Sequence, residues 1–421
     1  MFMKRCVLLF LVYTVVCSFP LCAQLTLEDC RRLARDNYPM IRQYGLIEKT
    51  VQYNVVNAAR AYWPQVSISG KVTYQSDVTS LPFELPDMDV HFMPKDQYQL
   101  MIQVQQSVWD GGETKWRKQL ARDGAEVDTE KLNTDLYGLD ERVNQLFFGI
   151  LLLDEQLEQN RLLQDDLDRM YRMVNTCVDN GTANRSELDE VSVEQLSARQ
   201  QRVSLEASRR AYSDMLALYL GRKSENKLLL VKPAALVPED NRNNRPELRW
   251  YDAQTARFGS QEASLRTAFM PRLSLFVQGA YGNPGLNLLQ DKFKAYYMAG
   301  INLSWNLGKL YTLKNDRRLV DNNRQMMEAA RSTFLFNTGL EAIRQEAEVN
   351  ALRRQMDDDD EIIRLRARIR RASEVKVQNG TYTVNDLLRD VTAESLARQQ
   401  KAIREIQLLM KIYEWKHTLN N

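Results

Sequence analysis

Acidic side chains that follow one another without a break are the most conspicuous residues in this sequence that could bind a ligand. Asp357–Asp360 and Glu361 precede a series of closely spaced arginines that begins at Arg364. Clustered carboxylates supply the oxygen ligands that Ca²⁺ prefers, so the run could form a calcium or substrate site. A run of like charges on a long helix is more often a solvated face, and we interpret this one in that way.

Other residue types that perform catalysis or bind metals are scarce. The 421 residues include only two histidines, His91 and His417, which lie far apart. This scarcity excludes most histidine-based metal sites and most Ser-His-Asp triads. The sequence has no nucleotide-binding loop and no nucleophile elbow, and its formal charge of +2 gives no support to nucleic-acid binding. We therefore expect no metal, no cofactor, no nucleic-acid partner and no enzymatic activity.

Residues 1–23 have the pattern of a cleaved secretory signal. Lys4 and Arg5 precede the apolar stretch Val7–Val16, and Leu21-Cys22-Ala23 ends in a small residue. The apolar stretch is too short to span a membrane comfortably. The leucine before the cysteine also disfavours a lipid anchor. The sequence thus predicts an exported protein, with no later apolar run of about 18 residues that could form a membrane helix.

The remainder of the chain is an internal duplication. Trp63-Pro64-Gln65 recurs as Met270-Pro271-Arg272 at an offset of 207, and Asn180-Gly181-Thr182 recurs as Asn379-Gly380-Thr381 at an offset of 199. A period near 200 residues is too long for a solenoid repeat and indicates a duplicated domain.

Each copy is predicted to contain the same order of parts: a helix that ends at a proline, two strands, a very long helix, a turn and a return helix. The first copy, 24–220, is expected to have strands at about 65–75 and 98–109, a long helix over 111–177 and a return helix over 186–220. The second copy, 246–421, is expected to have strands at about 272–281 and 295–306, a long helix over 309–378 and a return helix over 385–418. Residues 221–245 join the copies.

The long helices are predicted to pack as coiled coils. From Leu132 to Leu157 the apolar residues follow one another in steps of four and three, which is heptad spacing. A helix of about 70 residues is roughly 100 Å long. Cys30 and Cys177 are then about 50 Å apart along the helices, so we expect two free thiols.

The four strands have the length and the alternation of membrane-spanning strands. Each has about ten residues with apolar side chains at every second position, and neutral residues such as Gln103 and Gln105 lie between them. A soluble hairpin with one buried face is the alternative. Four strands cannot close a membrane barrel, and an open edge in lipid leaves unpaired peptide groups. Two copies would supply eight strands, whereas three would supply twelve and leave a lumen.

Over essentially all of its mature length the chain resembles the TolC family of outer-membrane efflux proteins. The residues that carry the resemblance are the helix–proline–strand junctions at Pro64 and Pro271, the turn Trp109-Asp110-Gly111-Gly112, and the tips at Gly181-Thr182 and Gly380-Thr381. We mark the ends of the strands as junctions at Pro64, Gly111, Pro271 and Gly308.

The resemblance implies a mainly α fold with a β-barrel part. Such a protein is a homotrimer with a twelve-stranded barrel in the outer membrane, four strands coming from each chain, and an α-barrel of long helices in the periplasm. The implied partners are a periplasmic adaptor (membrane fusion protein), an inner-membrane pump of RND or ABC type, and the lipid of the outer membrane.

Members of this family narrow at the helix tips, often with an Asp-x-x-Asp pair on the helix after the second tip. Asp386 matches the first acid, Arg389 replaces the second, and Asp390 points about 100° away on a helix. Our hypothesis is that Asp386 forms an acidic ring in the trimer and that Arg389 bonds a neighbour to hold it shut. The alternative is an acid that merely favours the first helical turn. Glu187 is the equivalent residue in the first copy, and we mark Asp386, Arg389, Asp390 and Glu187 as candidate residues of the pore constriction.

By resemblance, the two tips contact the adaptor. They consist of turn residues, with glycine supplying a positive φ. The tip residues are Asn180, Gly181, Thr182, Asn379, Gly380 and Thr381. We expect Ser186 and Asn385 to cap the helices that return from them.

The sequence therefore predicts a passive exit duct of a tripartite efflux or type I secretion system. A soluble periplasmic coiled-coil adaptor or scaffold is the alternative, and an exported enzyme is a distant third. The segments 76–96 and 282–292 are expected to be the external loops.

Overall fold

A computed structural model of the chain describes residues 24–78, 94–223, 228–240, 242–287 and 290–420. The predicted secretory signal lies outside the described residues. So do most of the predicted external loop 76–96, with His91, and part of the segment 221–245.

The chain is mainly helical, with one antiparallel sheet. The helices are α1 Leu27–Asn37, α2 Gln43–Ala59, α3 Glu113–Asp179, α4 Arg185–Tyr219, α5 Pro246–Leu265, α6 Leu310–Asp357, α7 Asp359–Gln378 and α8 Val384–Leu419. The strands are β1 Gln65–Tyr74, β2 Asp96–Trp109, β3 Arg272–Asn283 and β4 Lys294–Ser304. Short 3₁₀ turns precede both strand pairs, at Arg60–Tyr62 and Arg266–Phe269.

Two compact units divide the chain, and each takes segments from both sequence repeats. One unit comprises the residues up to Arg42, Asn133–Pro246 and Thr333–Asn421. We call it the helical unit. The other comprises Gln43–Leu132 and Glu247–Ser332, and we call it the sheet unit.

In the sheet unit, the strands pair in the order β1-β2-β3-β4, every neighbour antiparallel. Within this sheet β1 and β4 each pair on one side only. The side chains alternate between an apolar face and a polar face, as the period of two predicts. The apolar face is open: Ile68, Val72 and Ile301 are 70%, 73% and 69% exposed.

In the helical unit, the heptad residues of α3 form the core. Val143 and Ile150 of the seam are fully buried, and so is Phe147, which lies beside the seam. They pack with Cys30 of α1 and Leu216 of α4 in one cluster. A second cluster lies nearer the helix tips. Its members come from α3, α4, α7 and α8 and include Leu167, Val174, Val191, Val377, Leu387 and Val391. The predicted apolar seam is thus the surface on which the other helices pack.

The second long helix is not continuous, contrary to the prediction of one helix over 309–378. α6 ends at Asp357 and α7 begins at Asp359. The acids of the run Asp357–Asp360 therefore lie beside the N-terminus of α7, where the helix dipole favours negative charge.

The interpretation of the acidic run as a solvated face is wrong for one of its members. Asp359 is only 5% exposed and its carboxylate pairs with Arg404 of α8. Asp360 is exposed and accepts from Lys401 Nζ at 2.6 Å. The run anchors α7 to α8 because a buried carboxylate requires an opposite charge. Among the described residues, no group of three or more His, Cys, Asp or Glu could hold a metal ion.

Cys30 and Cys177 are free cysteines. Burial raises the pKa of the Cys30 thiol to about 12, so this thiol is protonated at neutral pH.

Within the described ranges, no helix has a stretch that is both long and apolar enough to cross a membrane.

Candidate functional site

Both helix tips end in the same glycine turn. Gly181 follows α3 with a φ of +75°, and Gly380 follows α7 with a φ of +68°. The N–H and the hydroxyl of Thr182 both donate to the Cys177 carbonyl, at 2.8 and 3.0 Å. Thr381 makes the same two bonds to the carbonyl five residues before it, at 2.9 and 3.0 Å. A Cβ on either glycine would meet nothing within 4 Å, so the backbone conformation, rather than the space, requires glycine.

All six tip residues are exposed. Asn180 and Asn379 close the last helical turns, each through its N–H to the carbonyl four residues earlier at 3.1 Å. The tips therefore present two short, rigid polar turns to solvent, and a partner protein can reach them.

The predicted helix caps are wrong by two residues at each tip. α4 begins at Arg185 with Asn184 as its N-cap, and α8 begins at Val384 with Thr383 as its N-cap. Ser186 and Asn385 therefore already lie inside the first helical turn. After each glycine turn the chain needs only a short extended stretch before the helix starts, and the residue at its end takes the capping position.

Asp386 is held by groups on its own helix. Its N–H donates to Thr383 Oγ1 at 3.1 Å, and the Thr383 hydroxyl donates to Asp386 Oδ2 at 2.7 Å. Arg389 Nη2 lies 3.5 Å from Asp386 Oδ1. Both side chains are partly or largely exposed, so this ion pair contributes little to stability. The hydrogen bonds between Asp386 and the N-cap Thr383 agree with the alternative interpretation, in which the acid favours the first helical turn. Asp386 is also partly exposed, so it remains accessible at the tip.

Asp390 does not accompany Asp386, although both were predicted at the constriction. It is only 9% exposed, and Ser373 Oγ of α7 donates to its Oδ2 at 2.6 Å. The two acids differ in their partners: Asp390 contacts Ser373 of the neighbouring helix α7, whereas Asp386 bonds the N-cap Thr383 of its own helix.

Glu187 connects the two tips. Its Oε2 accepts from the Asn184 N–H at 2.8 Å, and its Oε1 accepts from the Val384 N–H at 3.4 Å. One carboxylate therefore serves the first turn of both return helices. The structure therefore brings Glu187 to the start of α8.

A charged network that the sequence analysis missed lies on α8 beyond Asp390. Glu394 is 2% exposed, and its Oε2 lies 2.9 Å from Arg370 Nε of α7. Arg398 Nε donates to Glu394 Oε1 at 3.0 Å, and Arg370 Nη1 donates to Asp166 Oδ1 of α3 at 3.2 Å. The network ties three helices together. The sequence feature that could have revealed this network is Glu394, a charged residue on the same helical stripe as the apolar residues Leu387 and Val391.

In the sheet unit, the turn after β2 is organised by Asp110. Its Oδ1 accepts from the Gly112 N–H at 2.9 Å and from Tyr62 Oη at 2.8 Å. Its Oδ2 accepts from the Thr114 N–H at 2.7 Å. Burial by itself raises the pKa of Asp110, but the hydrogen bonds from Thr114, Tyr62 and Gly112 outweigh it, and the pKa lies below its ordinary value. The ionised carboxylate thus fixes the strand-to-helix turn.

The two strand-to-helix junctions differ. Gly111 has a φ of +69°, and a Cβ there would lie 2.6 Å from Met270 Cβ, so both backbone and space require glycine. Gly308 lies in a 3₁₀ turn, Leu307–Lys309, and its φ is not positive. Pro64 and Pro271 follow residues in extended conformation and directly precede β1 and β3. Proline does not continue the helical turn before it, so a proline marks the start of both strands.

Comparisons with known proteins agree with this architecture. The family model "Outer membrane efflux protein" matches residues 31–222. The fold is similar to the outer membrane protein VceC of Vibrio cholerae, with 12% identity, a TM-score of 0.67, and coverage of 94% of this chain and 96% of that one. It is also similar to the open state of the MtrE outer membrane channel of Neisseria gonorrhoeae, with 13% identity, a TM-score of 0.66, and coverage of 94% and 89%. The outer-membrane channel OprN is 12% identical, with a TM-score of 0.69 and coverage of 93% and 89%. Among curated proteins, none matches this sequence.

A four-stranded sheet joined to two long helical hairpins defines the class of TolC-like outer-membrane channels. The outer membrane efflux protein family model matches the first repeat, and the likeness of fold to these channels extends through the second repeat. The resemblance predicted from the sequence is confirmed. The family is one of channel proteins rather than enzymes, and a soluble periplasmic adaptor is not favoured.

Proposed function

We propose that this chain is the outer-membrane exit duct of a tripartite efflux or type I secretion system, extending into the periplasm. Three copies close one twelve-stranded barrel, and solutes pass through it without chemical change. A periplasmic adaptor opens the duct, and an inner-membrane pump of RND or ABC type supplies the energy.

The observation that carries the proposal is the open sheet. β1 and β4 each pair on one side only, and the apolar face between them is solvent-exposed in the single chain. In lipid, unpaired peptide groups each cost several kcal/mol, so the edges require further strands. Further copies of the same chain can supply these strands without another protein, since β1 of one copy can pair with β4 of the next.

The assembly is tested by its mass and its location. The protein should require detergent for extraction from outer membranes and should give the mass of three chains in light scattering after size-exclusion chromatography. A monodisperse monomer in mild detergent, or recovery in the soluble periplasmic fraction, would contradict the proposal.

The adaptor contact is proposed at the two tips because both are exposed and carry the same turn. A photo-crosslinking residue at Thr182 or Thr381 should capture a purified periplasmic adaptor of the same organism. The same residue at Glu206, exposed on α4, is the control. Equal capture at the control position would contradict tip docking.

Asp386 is proposed to form the acidic ring of the closed duct, with Glu187 beside it and Arg389 restraining it. Asp386→Asn should reduce the cation selectivity of single channels and their block by divalent cations. Asp390→Asn is the matched control, because Asp390 is buried against Ser373. Unchanged selectivity and block in Asp386→Asn would remove the ring from the proposal.

A further inference from the structure

The polar face of the sheet carries charge in an uneven way. Contacts between strands identify the side chains that share this face: Gln105 Nε2 donates to Ser274 Oγ at 3.1 Å, and Gln99 Nε2 donates to Tyr296 Oη at 2.6 Å. From these residues the strand register assigns every second position to the polar face. Most are glutamine, serine or other neutral residues. The charged residues at these positions within β1–β4 are Lys71, Arg272 and Lys294.

Within the described part of the chain, Arg272 is the one of these three cations that has an ion-pair partner. Arg272 lies at the end of the sheet nearest the helix junctions, and its Nη2 forms an ion pair with Glu113 Oε2 at 2.7 Å. Among the residues that the structure describes, neither Lys71 nor Lys294 has a carboxylate within 4 Å. Lys294 Nζ donates to the neutral amide oxygen of Gln290 at 2.5 Å. The polar face is therefore basic at the end where the external loops leave the strands.

The two lysines lie on one row of the sheet. Lys71 is opposite Gln99, Gln99 is opposite Gly282, and Gly282 is opposite Lys294. The row thus places one lysine on each edge strand and two uncharged residues between them. Three strand spacings separate the lysines by about 14 Å.

We propose that these lysines form a basic band at the outer mouth of the duct, and that the band selects cargo carrying several carboxylate or phosphate groups. The proposal rests on the proposed function, because pairing of β1 with β4 of the next copy brings Lys71 and Lys294 of neighbouring chains to the same wall. Two lysines from each of three copies then line the mouth.

The expected field is strong enough to affect permeation. The strand tilt of a barrel, about 40°, spreads the two lysines of one chain by about 9 Å along the axis. Their full separation of about 14 Å exceeds the Debye length of about 8–10 Å at moderate salt, so the lysines act together most strongly at low ionic strength. Charge of one sign in a cleft with low-dielectric walls raises the local concentration of counter-ions by about 10- to 1,000-fold.

Side-specific block of single channels tests the band. Purified protein is reconstituted in planar bilayers at about 0.1 M KCl, and tripolyphosphate is added to one chamber and then to the other. The half-blocking concentration should be at least about tenfold lower from the chamber that faces the loop end of the sheet. In Lys71→Gln/Lys294→Gln this asymmetry should disappear, whereas Lys71→Arg/Lys294→Arg should keep it. Lys49→Gln, an exposed lysine of α2 in the same unit, is the matched control and should keep it too.

The outcomes separate this inference from the proposed function. Channels of the unaltered protein that are blocked equally from both sides would overturn the basic band and leave the exit duct intact. The same holds if the glutamine variant keeps the asymmetry. If the unaltered protein forms no channels even when its periplasmic adaptor is added, the exit duct itself is contradicted.

Discussion

The return helices α4 and α8 occupy the same place in the two repeats but differ in what they bury. α4 has 35 residues, of which only Val191, Ala198, Leu216 and Ala217 are buried. α8 has 36 residues and is buried along most of its length, with Asp390 and Glu394 among the buried residues. On α4, apolar side chains remain exposed instead: Val193, Leu196, Val203 and Leu218. The duplication kept the local turn signals, but α8 contributes more buried residues to the interior than α4 does, and in the proposed trimer the exposed apolar residues of α4 are available to neighbouring copies.

The largest predicted difference between the two helices lies at Glu394. Glu394→Ala leaves Arg370 without its buried partner, and we expect a loss of about 3–5 kcal/mol in the free energy of unfolding. Gln195, 199 residues earlier on α4, donates to Asp168 in an exposed hydrogen bond. Gln195→Ala should change the free energy by less than about 0.5 kcal/mol. Denaturant unfolding of the protein in detergent gives both values.

A second variant separates lost charge pairing from lost packing. Glu394→Leu combined with Arg370→Met removes both charges and should recover most of the stability, because an apolar pair can replace a buried ion pair. Equal losses in Glu394→Ala and Gln195→Ala would show that the two return helices are anchored alike.

The anchors of α7 on α8 provide the next test. Asp359→Ala removes the buried partner of Arg404 and should cost about 3 kcal/mol of stability. Asp360→Ala removes an exposed partner of Lys401 and should cost less than about 1 kcal/mol. The same unfolding measurement decides between them, and a larger loss in Asp360→Ala would reverse our assignment of the buried acid.

The burial of His417 leads us to expect that the stability of the protein depends on pH. Leu218, the matching residue of α4, does not titrate and has no such effect. Burial and then the nearby Arg245, Arg31 and Arg35 lower the pKa of His417 to about 3. The unfolded chain, with a histidine pKa of about 6.5, binds the proton more readily, so stability falls as the pH drops from 6.5 toward 3. The loss between pH 6.5 and pH 5 should be about 2 kcal/mol. His417→Gln should flatten this part of the profile relative to the unaltered protein, whereas Leu218→Gln should leave its slope unchanged.

The smallest expected difference lies at the tips, where the two repeats should respond equally. Gly181→Ala and Gly380→Ala each force a side chain into a positive φ, at a cost of about 1 kcal/mol. Gly339 lies inside α6, and a Cβ added there would meet nothing within 4 Å. It is the control, for which the opposite effect on stability is expected. Gly339→Ala should stabilise the protein by about 0.5–1 kcal/mol. Thermal unfolding would contradict the equivalence of the tips if only one of the two substitutions destabilised the protein.

Short-range patterns predicted much of this structure. The alternation of residues in the strands, the asparagine–glycine–threonine turns and the heptad seam of α3 each reflect one backbone geometry that the local residues impose. These signals also carried the recognition of the family, because their order and duplication matter more than any single residue.

Pairings between distant residues could not be predicted in the same way. The ion pair of Arg370 with Glu394 joins separate helices, and neither residue has a neighbour in sequence that identifies the other. The break after Asp357 depends on Asp359 reaching Arg404, which is 45 residues away. The caps were displaced because several residues that can cap a helix follow each glycine, and which of them leaves the helical conformation depends on the turn before it.

The unpaired edges of the sheet have a genetic consequence. In the proposed trimer each wall is shared by three chains, so one chain with a damaged edge would disable a duct that also contains two sound ones. In a cell that makes both kinds equally and assembles them at random, only about one-eighth of the ducts contain sound chains alone. Edge mutations in β1 or β4 should therefore be dominant, whereas a mutation that prevents a chain from folding at all should be recessive.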